Sequence, residues 1–365
     1  MELLSLSQKE IEDRFYCDLA FGTGGLRGVM AVGSNRMNLH VVRAATEGLA
    51  RELLDADAAN AARGVVIGYD SRNHSAEFAR AAAEVLSAFG IRANLFDRLC
   101  PTPEVSFAVR HLGCAAGIVI TASHNPKEYN GYKVYDEEGT QISPLRAERI
   151  LSYIRKAELP ARAPYAPNPA LIQLLSEETH SAYVNRVRAE SMGVPIPKDL
   201  SVLYTPLHGA GNLPVQSILS SLGVRFTVVK EQEVPNGDFP TVDSPNPENR
   251  SAFDLAIAYA ENHPVDLILG TDPDSDRLGL VVKEKNGTFT VLNGNQTGSL
   301  LAEFILRKTK ERGMPKNPRL VKTIVTTELV REIGQNFGVG TEDVLTGFKY
   351  IGDKIKEYER EGASF

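Results

Sequence analysis

A serine and a histidine stand side by side where an apolar segment of the chain ends. The run GIVI at 117–120 is followed by TASHNP at 121–126. Such a run is typical of a buried strand, which a proline cannot extend. In α/β sheets, ligands bind in the crevice beyond the carboxyl ends of strands. The segment therefore predicts a loop whose Ser123 and His124 face a ligand, although a polar turn without chemistry would carry the same residues.

Three carboxylates alternate in a second segment of the same kind. The strand-like run VDLILG at 265–270 continues into TDPDSDR, which places Asp272, Asp274 and Asp276 in one short loop. Anions this close repel one another unless a cation lies among them, and hard oxygen ligands suit Mg²⁺, Ca²⁺ or Mn²⁺. A calcium EF-hand is excluded, because the chain has arginine and lysine where that loop needs glycine and glutamate.

Taken together, the two loops indicate phosphate chemistry. Mg²⁺ usually completes its coordination shell with water or substrate phosphate, and Ser123 supplies a hydroxyl that could carry a phosphoryl group. Phosphoryl transfer needs mainly positioning and neutralisation of charge by metal and cations. The cationic side chains available at predicted loop ends are Arg27, His124, Lys133, Arg277 and Lys349.

The elements that would position these loops form repeated strand–helix units. This rhythm is typical of α/β folds with parallel sheets. We expect successive three-layer α/β/α domains with mixed, mostly parallel sheets. The predicted domains are 1–165 with the serine loop, 166–292 with the carboxylate loop, and an incomplete third domain at 293–365, with a proline-rich linker at 158–170.

Composition and charge narrow the possible partners and the location. A formal net charge of -6 over 365 residues disfavours nucleic acid and anionic membranes as partners. Three widely spaced cysteines argue against a disulfide framework and a zinc site. The N-terminal segment lacks the apolar core of a signal peptide, and no run approaches the ~20 apolar residues of a membrane span. We expect a cytoplasmic protein, monomeric or weakly dimeric.

Four motifs resemble those of the α-D-phosphohexomutases, the phosphoglucomutase/phosphomannomutase family. TASHNP resembles the family's phosphoserine signature, and DPDSDR at 272–277 resembles its metal loop. FGTGGLRG at 21–28 and NGYK at 130–133 resemble two further motifs, and all four occur in the family's order. The variants GTGGLRG, TPLHG and GFKYIG are most similar to the branch of bacterial phosphoglucomutases and phosphopentomutase-type relatives.

The resemblance implies an enzyme that moves phosphate between positions 1 and 6 of a hexose, with glucose as the expected sugar. Phosphorylated Ser123 would donate to the sugar phosphate, and the resulting bisphosphate would reorient and return its other phosphate. One Mg²⁺ per chain would be held by Ser123, Asp272, Asp274 and Asp276. A glucose 1,6-bisphosphate-type activator would supply the first phosphoryl group.

The resemblance also implies roles for the residues around that centre. His124 and Arg27 would be catalytic groups around the transferring phosphoryl group, and Lys133 would assist proton transfer at the attacking sugar hydroxyl. The residues expected to bind substrate are Arg277, Lys349, Gly347 and Asn130. His208, in a comparable loop of the second domain, is expected to be structural.

The sequence departs from the family pattern after the third set of elements. Family members continue into a sugar-recognition loop and a fourth, phosphate-binding domain, which have no counterpart in this sequence. Binding energy from such remote groups supports catalysis, so we expect magnesium binding with little mutase turnover. The alternatives are a phosphopentomutase acting on ribose or deoxyribose phosphate, a truncated, catalytically weak phosphosugar-binding fragment, and a phosphatase.

Overall fold

A computed structural model describes residues 2–22, 25–156 and 165–364. The strands, in chain order, are β1 (Gly25–Val29), β2 (Val65–Tyr69), β3 (Ala93–Phe96), β4 (Ala116–Ile120), β5 (Tyr129–Asp136), β6 (Ile172–Leu175), β7 (Ser201–Thr205), β8 (Arg225–Val228), β9 (Leu267–Thr271), β10 (Leu278–Lys283), β11 (Phe289–Leu292), β12 (Arg319–Thr323) and β13 (Gly340–Val344). The α-helices are α1 (Gln8–Phe15), α2 (Leu39–Ala56), α3 (Asn60–Arg63), α4 (Ser75–Ala88), α5 (Thr102–Leu112), α6 (Pro144–Lys156), α7 (Glu177–Ala189), α8 (Asn212–Ser221), α9 (Lys230–Glu233), α10 (Asp254–Glu261), α11 (Gly294–Arg312), α12 (Leu329–Asn336) and α13 (Phe348–Glu361).

The first sheet has the strand order β1-β5-β4-β2-β3-β6, and only β5 runs against the others. Alternate residues of its strands pack on opposite faces, because successive side chains of a strand point to opposite sides. Apolar residues of α2, α4 and α6 fill one face, and α5 fills the other. The result is the three-layer α/β/α arrangement that the strand–helix rhythm predicted.

The carboxyl ends of neighbouring strands bring distant loops together. β2 and β4 pair in parallel, so the segments after Tyr69 and Ile120 leave the sheet at the same edge. In the second sheet, of order β11-β10-β9-β7-β8, the parallel pair β7 and β9 likewise brings the segments after Thr205 and Thr271 together. A third sheet contains the parallel pair β12 and β13.

Several elements differ from the sequence-based predictions. The glycine-rich segment at 21–28, predicted to be a loop, includes strand β1, which pairs with β5 and so places Arg27 opposite Gly131. Strand β6 pairs with β3 of the first sheet, although it lies beyond the predicted boundary at 165. Most of the predicted linker, like Thr23 and Gly24, lies outside the described residues.

Among the described residues, no helix combines the length and the apolar character needed to cross a bilayer.

The close approach of β5 to the serine loop depends on a glycine. A methyl group added at Gly131 would lie 2.4 Å from the Thr121 carbonyl oxygen and 2.9 Å from that of Leu26, both backbone atoms. We therefore expect Gly131→Ala to lower the free energy of unfolding by about 1–3 kcal/mol, as overpacking does elsewhere. Helical Gly298 has open space around it, so Gly298→Ala should be neutral or stabilising. Urea denaturation followed by circular dichroism compares the two variants. Equal midpoints would contradict the proposed close packing.

Candidate active site

Ser123 lies at the carboxyl end of β4 in a conformation that serine rarely adopts. Its φ is 53°, in the left-handed region, and the residue is buried. The Ser123 backbone N–H donates to Thr121 Oγ1 at 2.8 Å, and the Thr121 hydroxyl donates to Asp70 Oδ2 at 2.6 Å. A non-glycine residue held this way costs about 1–3 kcal/mol and persists only where its surroundings over-determine it. The loop therefore presents one defined orientation of the serine.

That orientation directs the serine hydroxyl at the carboxylate loop of the second domain. Ser123 Oγ donates to Asp272 Oδ2 at 2.6 Å and also lies 3.1 Å from His124 Nδ1. The other Asp272 oxygen, Oδ1, accepts the backbone N–H groups of Asp276 and Arg277. The two loops that the sequence singled out, far apart in the chain, thus meet at a single hydrogen bond.

The three aspartates form a group suited to a metal ion. One oxygen of each of Asp272, Asp274 and Asp276 lies within 4.8 Å of the others. Asp274 Oδ1 is buried and has no hydrogen-bond partner among the described residues, which leaves an uncompensated acceptor inside the group. An all-oxygen set of three carboxylates with a serine oxygen beside them fits a hard cation such as Mg²⁺. The residues present could therefore hold the metal that the sequence predicts.

Two side chains of the first domain compensate the buried carboxylates. Lys133 Nζ donates to Asp274 Oδ2 at 2.8 Å and to Asp276 Oδ2 at 3.3 Å, and Thr102 Oγ1 donates to Asp274 Oδ2 at 2.8 Å. Burial alone would raise the pKa of Asp274, but Lys133 holds it below its usual value. Burial likewise opposes the charge on Lys133, yet Asp274, Tyr135 and Asp276 raise its pKa. Lys133 and Asp274 are therefore a charged pair across the domain boundary.

Asp272 differs from Asp274 in its electrostatic surroundings. Burial raises its pKa well above the usual value, and the neighbouring Asp274 and Asp276 carboxylates raise it further. The pKa of Asp276, the most exposed of the three, is raised by burial and by the Asp274 charge. Lys133 therefore offsets only part of the negative charge, and the rest favours a bound cation.

Three of the predicted cationic residues surround the serine on its more open side. His124 is half-buried, and burial lowers its pKa, with the Arg277 and Arg27 charges acting in the same direction. Exposed Arg27 donates to Asn125 Oδ1 at 3.2 Å, and the Arg277 guanidinium pairs with Glu248 at 3.3 Å. The two arginines thus supply positive charge beside Ser123, where an incoming phosphate would carry negative charge, and the His124 ring places a nitrogen 3.1 Å from the serine hydroxyl.

The remaining predicted substrate-binding residues have different environments. Asn130 is fully buried, and its amide donates to Ser75 Oγ and Asn73 O while its oxygen accepts the Gly131 N–H. This placement favours a structural contribution of Asn130 to the loop edge. Gly347 precedes α13 with a φ of 129°, and Lys349 lies buried in the first turn of α13, 4.6 Å from the Tyr350 ring centroid.

Sequence reasoning missed residues that hold the two loops in place. Thr102 fixes the carboxylate loop twice, because its backbone N–H also donates to Asp274 O at 2.8 Å. Asp70 holds Thr121 and thereby the serine, and Ser244 Oγ donates to His124 O at 3.2 Å. The signal that could have found them is topological. Asp70 follows strand β2, which pairs with β4, and the first residues of a helix such as Thr102 commonly present free N–H groups.

Comparisons with known proteins agree with this geometry. Three domain families match in succession, described as Phosphoglucomutase/phosphomannomutase, alpha/beta/alpha domain I, II and III. They cover residues 18–161, 181–287 and 293–365.

Curated relatives named phosphoglucomutase match almost the whole chain. The protein from Staphylococcus epidermidis is 38% identical over 360 residues, 97% of this chain. The protein from Staphylococcus saprophyticus is 39% identical over 350 residues, 94% of this chain. The chain spans 65% and 62% of the length of these two relatives.

Solved structures of similar proteins share the fold. A Thermus thermophilus protein described as a phosphomannomutase has a TM-score of 0.77 at 27% identity, over 95% of this chain and 73% of that one. A phosphoglucomutase/phosphomannomutase family protein from Burkholderia thailandensis has a TM-score of 0.73 at 21% identity, over 92% of this chain and 68% of that one. The second likeness supports the fold alone.

The carboxylate group makes a direct prediction about metal binding. Asp276→Asn removes one negative charge and replaces a carboxylate ligand by a weaker, neutral amide oxygen while leaving the Lys133–Asp274 pair intact, so Mg²⁺ affinity should fall by about tenfold or more. Asp254→Asn, at an exposed position of helix α10 in the same domain, is the matched control and should bind Mg²⁺ like the unaltered chain. Isothermal titration calorimetry measures both. Equal affinity of Asp276→Asn and the control would contradict the assigned ligand set.

A substitution of Thr102 tests whether the first domain contributes to metal binding by the three aspartates. Thr102→Val keeps the shape and the backbone hydrogen bond but removes the hydroxyl that orients Asp274. Loss of such a bond to a ligand typically costs 10–100-fold in metal affinity, so we expect a loss of about tenfold. Thr290→Val, on β11, is the control substitution, because its hydroxyl bonds only to Glu284 among the described residues. Calorimetry that finds no difference between these two variants would remove Thr102 from the site.

Proposed function

The chain belongs to the phosphoglucomutase/phosphomannomutase family, the α-D-phosphohexomutases, and on that premise we propose that it interconverts hexose 1-phosphate and hexose 6-phosphate. The proposed sugar is glucose, and the proposed route runs through phosphorylated Ser123 and a bisphosphate intermediate. The observation that carries the proposal is the 2.6 Å hydrogen bond from the Ser123 hydroxyl to Asp272 within the three-aspartate group. A hydroxyl so placed is suited to carry a phosphoryl group beside a metal.

The proposed phosphoryl transfer needs no reactant other than phosphorylated Ser123 and the sugar phosphate. In one direction the bond between phosphorus and Ser123 Oγ breaks, and a sugar hydroxyl oxygen forms the new bond to phosphorus. The proton of that hydroxyl leaves it, and Ser123 Oγ regains a proton as it becomes a hydroxyl again. The second half-reaction reverses these changes from the other phosphate of the bisphosphate. A divalent cation held by Ser123, Asp272, Asp274 and Asp276 would neutralise charge on the transferring group.

Lys133 is the residue proposed to accept the proton of the attacking sugar hydroxyl. Its ion pairs with carboxylates determine when it can do so. Its pKa is raised while it pairs with Asp274 and Asp276, so before ligands bind it is a charged donor. In that state it can stabilise negative charge on the oxygens of a nearby phosphoryl group. Removal of a proton from the sugar by Lys133 requires its carboxylate partners to be engaged elsewhere. The geometry thus supports Lys133 first as a positioning cation and then as a proton acceptor.

The remaining predicted site residues are proposed to hold the substrate around Ser123. His124 and Arg27 would contact the transferring phosphoryl group, because both lie beside the Ser123 loop. Arg277 would contact sugar or phosphate from the second domain, and Gly347 and Lys349 from the third. Arg277 is partly exposed and its partner Glu248 is exposed, so a ligand can compete for the Arg277 guanidinium. A glucose 1,6-bisphosphate-type activator would phosphorylate Ser123 at the start.

Phosphorylation of Ser123 is the experiment that tests the proposed function. The purified chain is incubated with Mg²⁺ and glucose 1,6-bisphosphate, and intact mass and peptide mapping locate the added group. We expect one phosphoryl group, on Ser123, absent in Ser123→Ala and retained in Ser143→Ala, whose hydroxyl lies at the start of α6. Phosphate mapped to any other residue would sink the assignment.

The same phosphorylated protein distinguishes the alternatives. Glucose 1-phosphate should discharge Ser123 into a sugar bisphosphate faster than ribose 1-phosphate does, and both should act faster than buffer. Preference for the pentose would replace the hexose assignment by a phosphopentomutase. Release of inorganic phosphate at one rate, with or without sugar phosphate, would indicate a phosphatase.

A further inference from the structure

A single buried arginine lies at the centre of the serine loop. The Arg72 guanidinium donates to four backbone carbonyl oxygens: those of Pro126 and Tyr129 at 2.8 and 3.0 Å, and those of Ser123 and Asn125. Its Nε lies 3.4 Å from Asp70 Oδ2, and both side chains are fully buried. The loop from 121 to 129 therefore wraps around one buried arginine. This arginine is neither one of the proposed metal ligands nor one of the predicted substrate-binding residues.

This arrangement explains how the serine keeps its conformation. Carbonyl oxygens that converge on one point repel one another unless a donor lies among them, and the planar guanidinium offers five donors in a fixed fork. One of these donors holds the carbonyl of Ser123 itself. Asp70 accepts from Thr121, and Thr121 accepts the Ser123 N–H. Arg72 therefore holds the carbonyl group of Ser123, and Asp70, through Thr121, holds its N–H group. The backbone of Ser123 is thus fixed on both sides of its Cα atom.

A loop of the second domain also contacts the same arginine. In the docking loop, residues 234–246, the buried Phe239 ring lies 5.1 Å from the Arg72 guanidinium carbon. Phe239 has a φ of 45°, so the loop holds this ring in place at some conformational cost. A desolvated arginine over an aromatic face is attracted to the ring, which favours docking of the loop.

Further contacts of the docking loop lie on either side of Phe239. A methyl group added at Gly237 would lie 2.4 Å from the Asn73 backbone nitrogen, so the loop lies directly on the first domain. Asn73 Nδ2 donates to Asp238, and Ser244 donates to the carbonyl of His124. His208 anchors the loop from the second domain, with its ring nitrogens 2.9 Å from Val234 O and from Thr241 Oγ1. These contacts agree with the structural role predicted for His208.

We propose that Arg72, capped by Phe239, is the positioning residue that directs the Ser123 hydroxyl towards Asp272. Docking of loop 234–246 on Arg72 stabilises this orientation of the serine. Neither residue touches the reacting atoms. Their contribution to phosphoryl transfer rests on the proposed function, whereas their hold on the loop does not. The contact between Arg72 and Phe239 therefore couples the orientation of Ser123 in the first domain to the position of the second domain, which carries the three aspartates.

Two variants test the pair, each with a matched control. Arg72→Lys keeps the charge but replaces the planar fork by a single ammonium group, and Phe239→Leu keeps the apolar cover but removes the ring face. Arg51→Lys and Phe289→Leu are the controls, because each alters another cation–ring pair, Arg51 with Phe89 and Lys283 with Phe289. Circular dichroism and the unfolding midpoint establish that each variant is folded. If Arg72→Lys does not fold, Phe239→Leu alone decides the test.

Hydrogen exchange of the peptide 117–135 measures the hold on the loop directly. We expect exchange in this peptide to rise by about tenfold in Arg72→Lys and Phe239→Leu, with strand β2 unchanged, and to stay unchanged in the controls. The rate constant for phosphorylation of Ser123 at saturating glucose 1,6-bisphosphate should fall by about 100-fold in Arg72→Lys and about tenfold in Phe239→Leu. The bisphosphate concentration for half-maximal rate and the Mg²⁺ affinity should change little.

The two readouts separate the two hypotheses. If the unaltered chain takes no phosphoryl group, the proposed function fails while the exchange measurement still decides the role of Arg72 and Phe239. Exchange at the level of the controls in both variants would overturn the positioning role. Faster exchange with an unaltered phosphorylation rate would also overturn it, because Ser123 would then not need the loop to be held.

Discussion

The structure depends on one electrostatic constraint, the burial of three carboxylates in a single loop. Burying charge is costly unless it is paired and hydrogen-bonded. The loop of the second domain supplies only backbone N–H groups to Asp272, whereas Asp274 takes its donors from Lys133 and Thr102 of the first domain. The carboxylate loop therefore gains these donors only when the two domains are docked. The same docking brings the Ser123 hydroxyl to Asp272, so the interaction that stabilises the site also assembles it.

Backbone strain is concentrated where these loops converge. Of the seven non-glycine residues with positive φ in the described chain, six lie in the loops around the site: His74, Ser123, Leu207, His208, Phe239 and Ser275. Each such residue costs free energy that neighbouring contacts must offset. Around Ser123 the offset comes from Asp70, Arg72 and Thr121, and around His208 from hydrogen bonds to the docking loop. These contacts hold each loop in one conformation, which suits the proposed reaction, in which positioning matters more than flexibility.

The sequence predicted which polar residues of the site come together better than it predicted the contacts that hold them there. Ser123 and the three aspartates were found because polar residues after apolar runs mark the carboxyl ends of strands. Their meeting depends on the docking of the two domains, since β4 and β9 belong to different sheets. The strand β1 was missed because a glycine-rich segment looks like a loop until its partner β5 is known. Arg72 and Phe239 were missed because their significance is a contact between residues far apart in the chain. Asn130, predicted to bind substrate, is buried among hydrogen bonds that only the folded loop edge reveals.

The site is asymmetric in burial, and that asymmetry suits the proposed reaction, in which a bisphosphate would reorient. Ser123, Asp272 and Asp274 are buried and held by several bonds each, while Arg27 is exposed and His124 and Arg277 are part-exposed. A buried, fixed centre strengthens the electrostatic stabilisation of the transferring group. In the proposed reaction, the exposed Arg27 and the part-exposed Arg277 would exchange one phosphate for the other more readily than the buried centre would. A site buried throughout would hold one orientation of the proposed intermediate, whereas this division would let the sugar reorient while the serine and its aspartates stay in place.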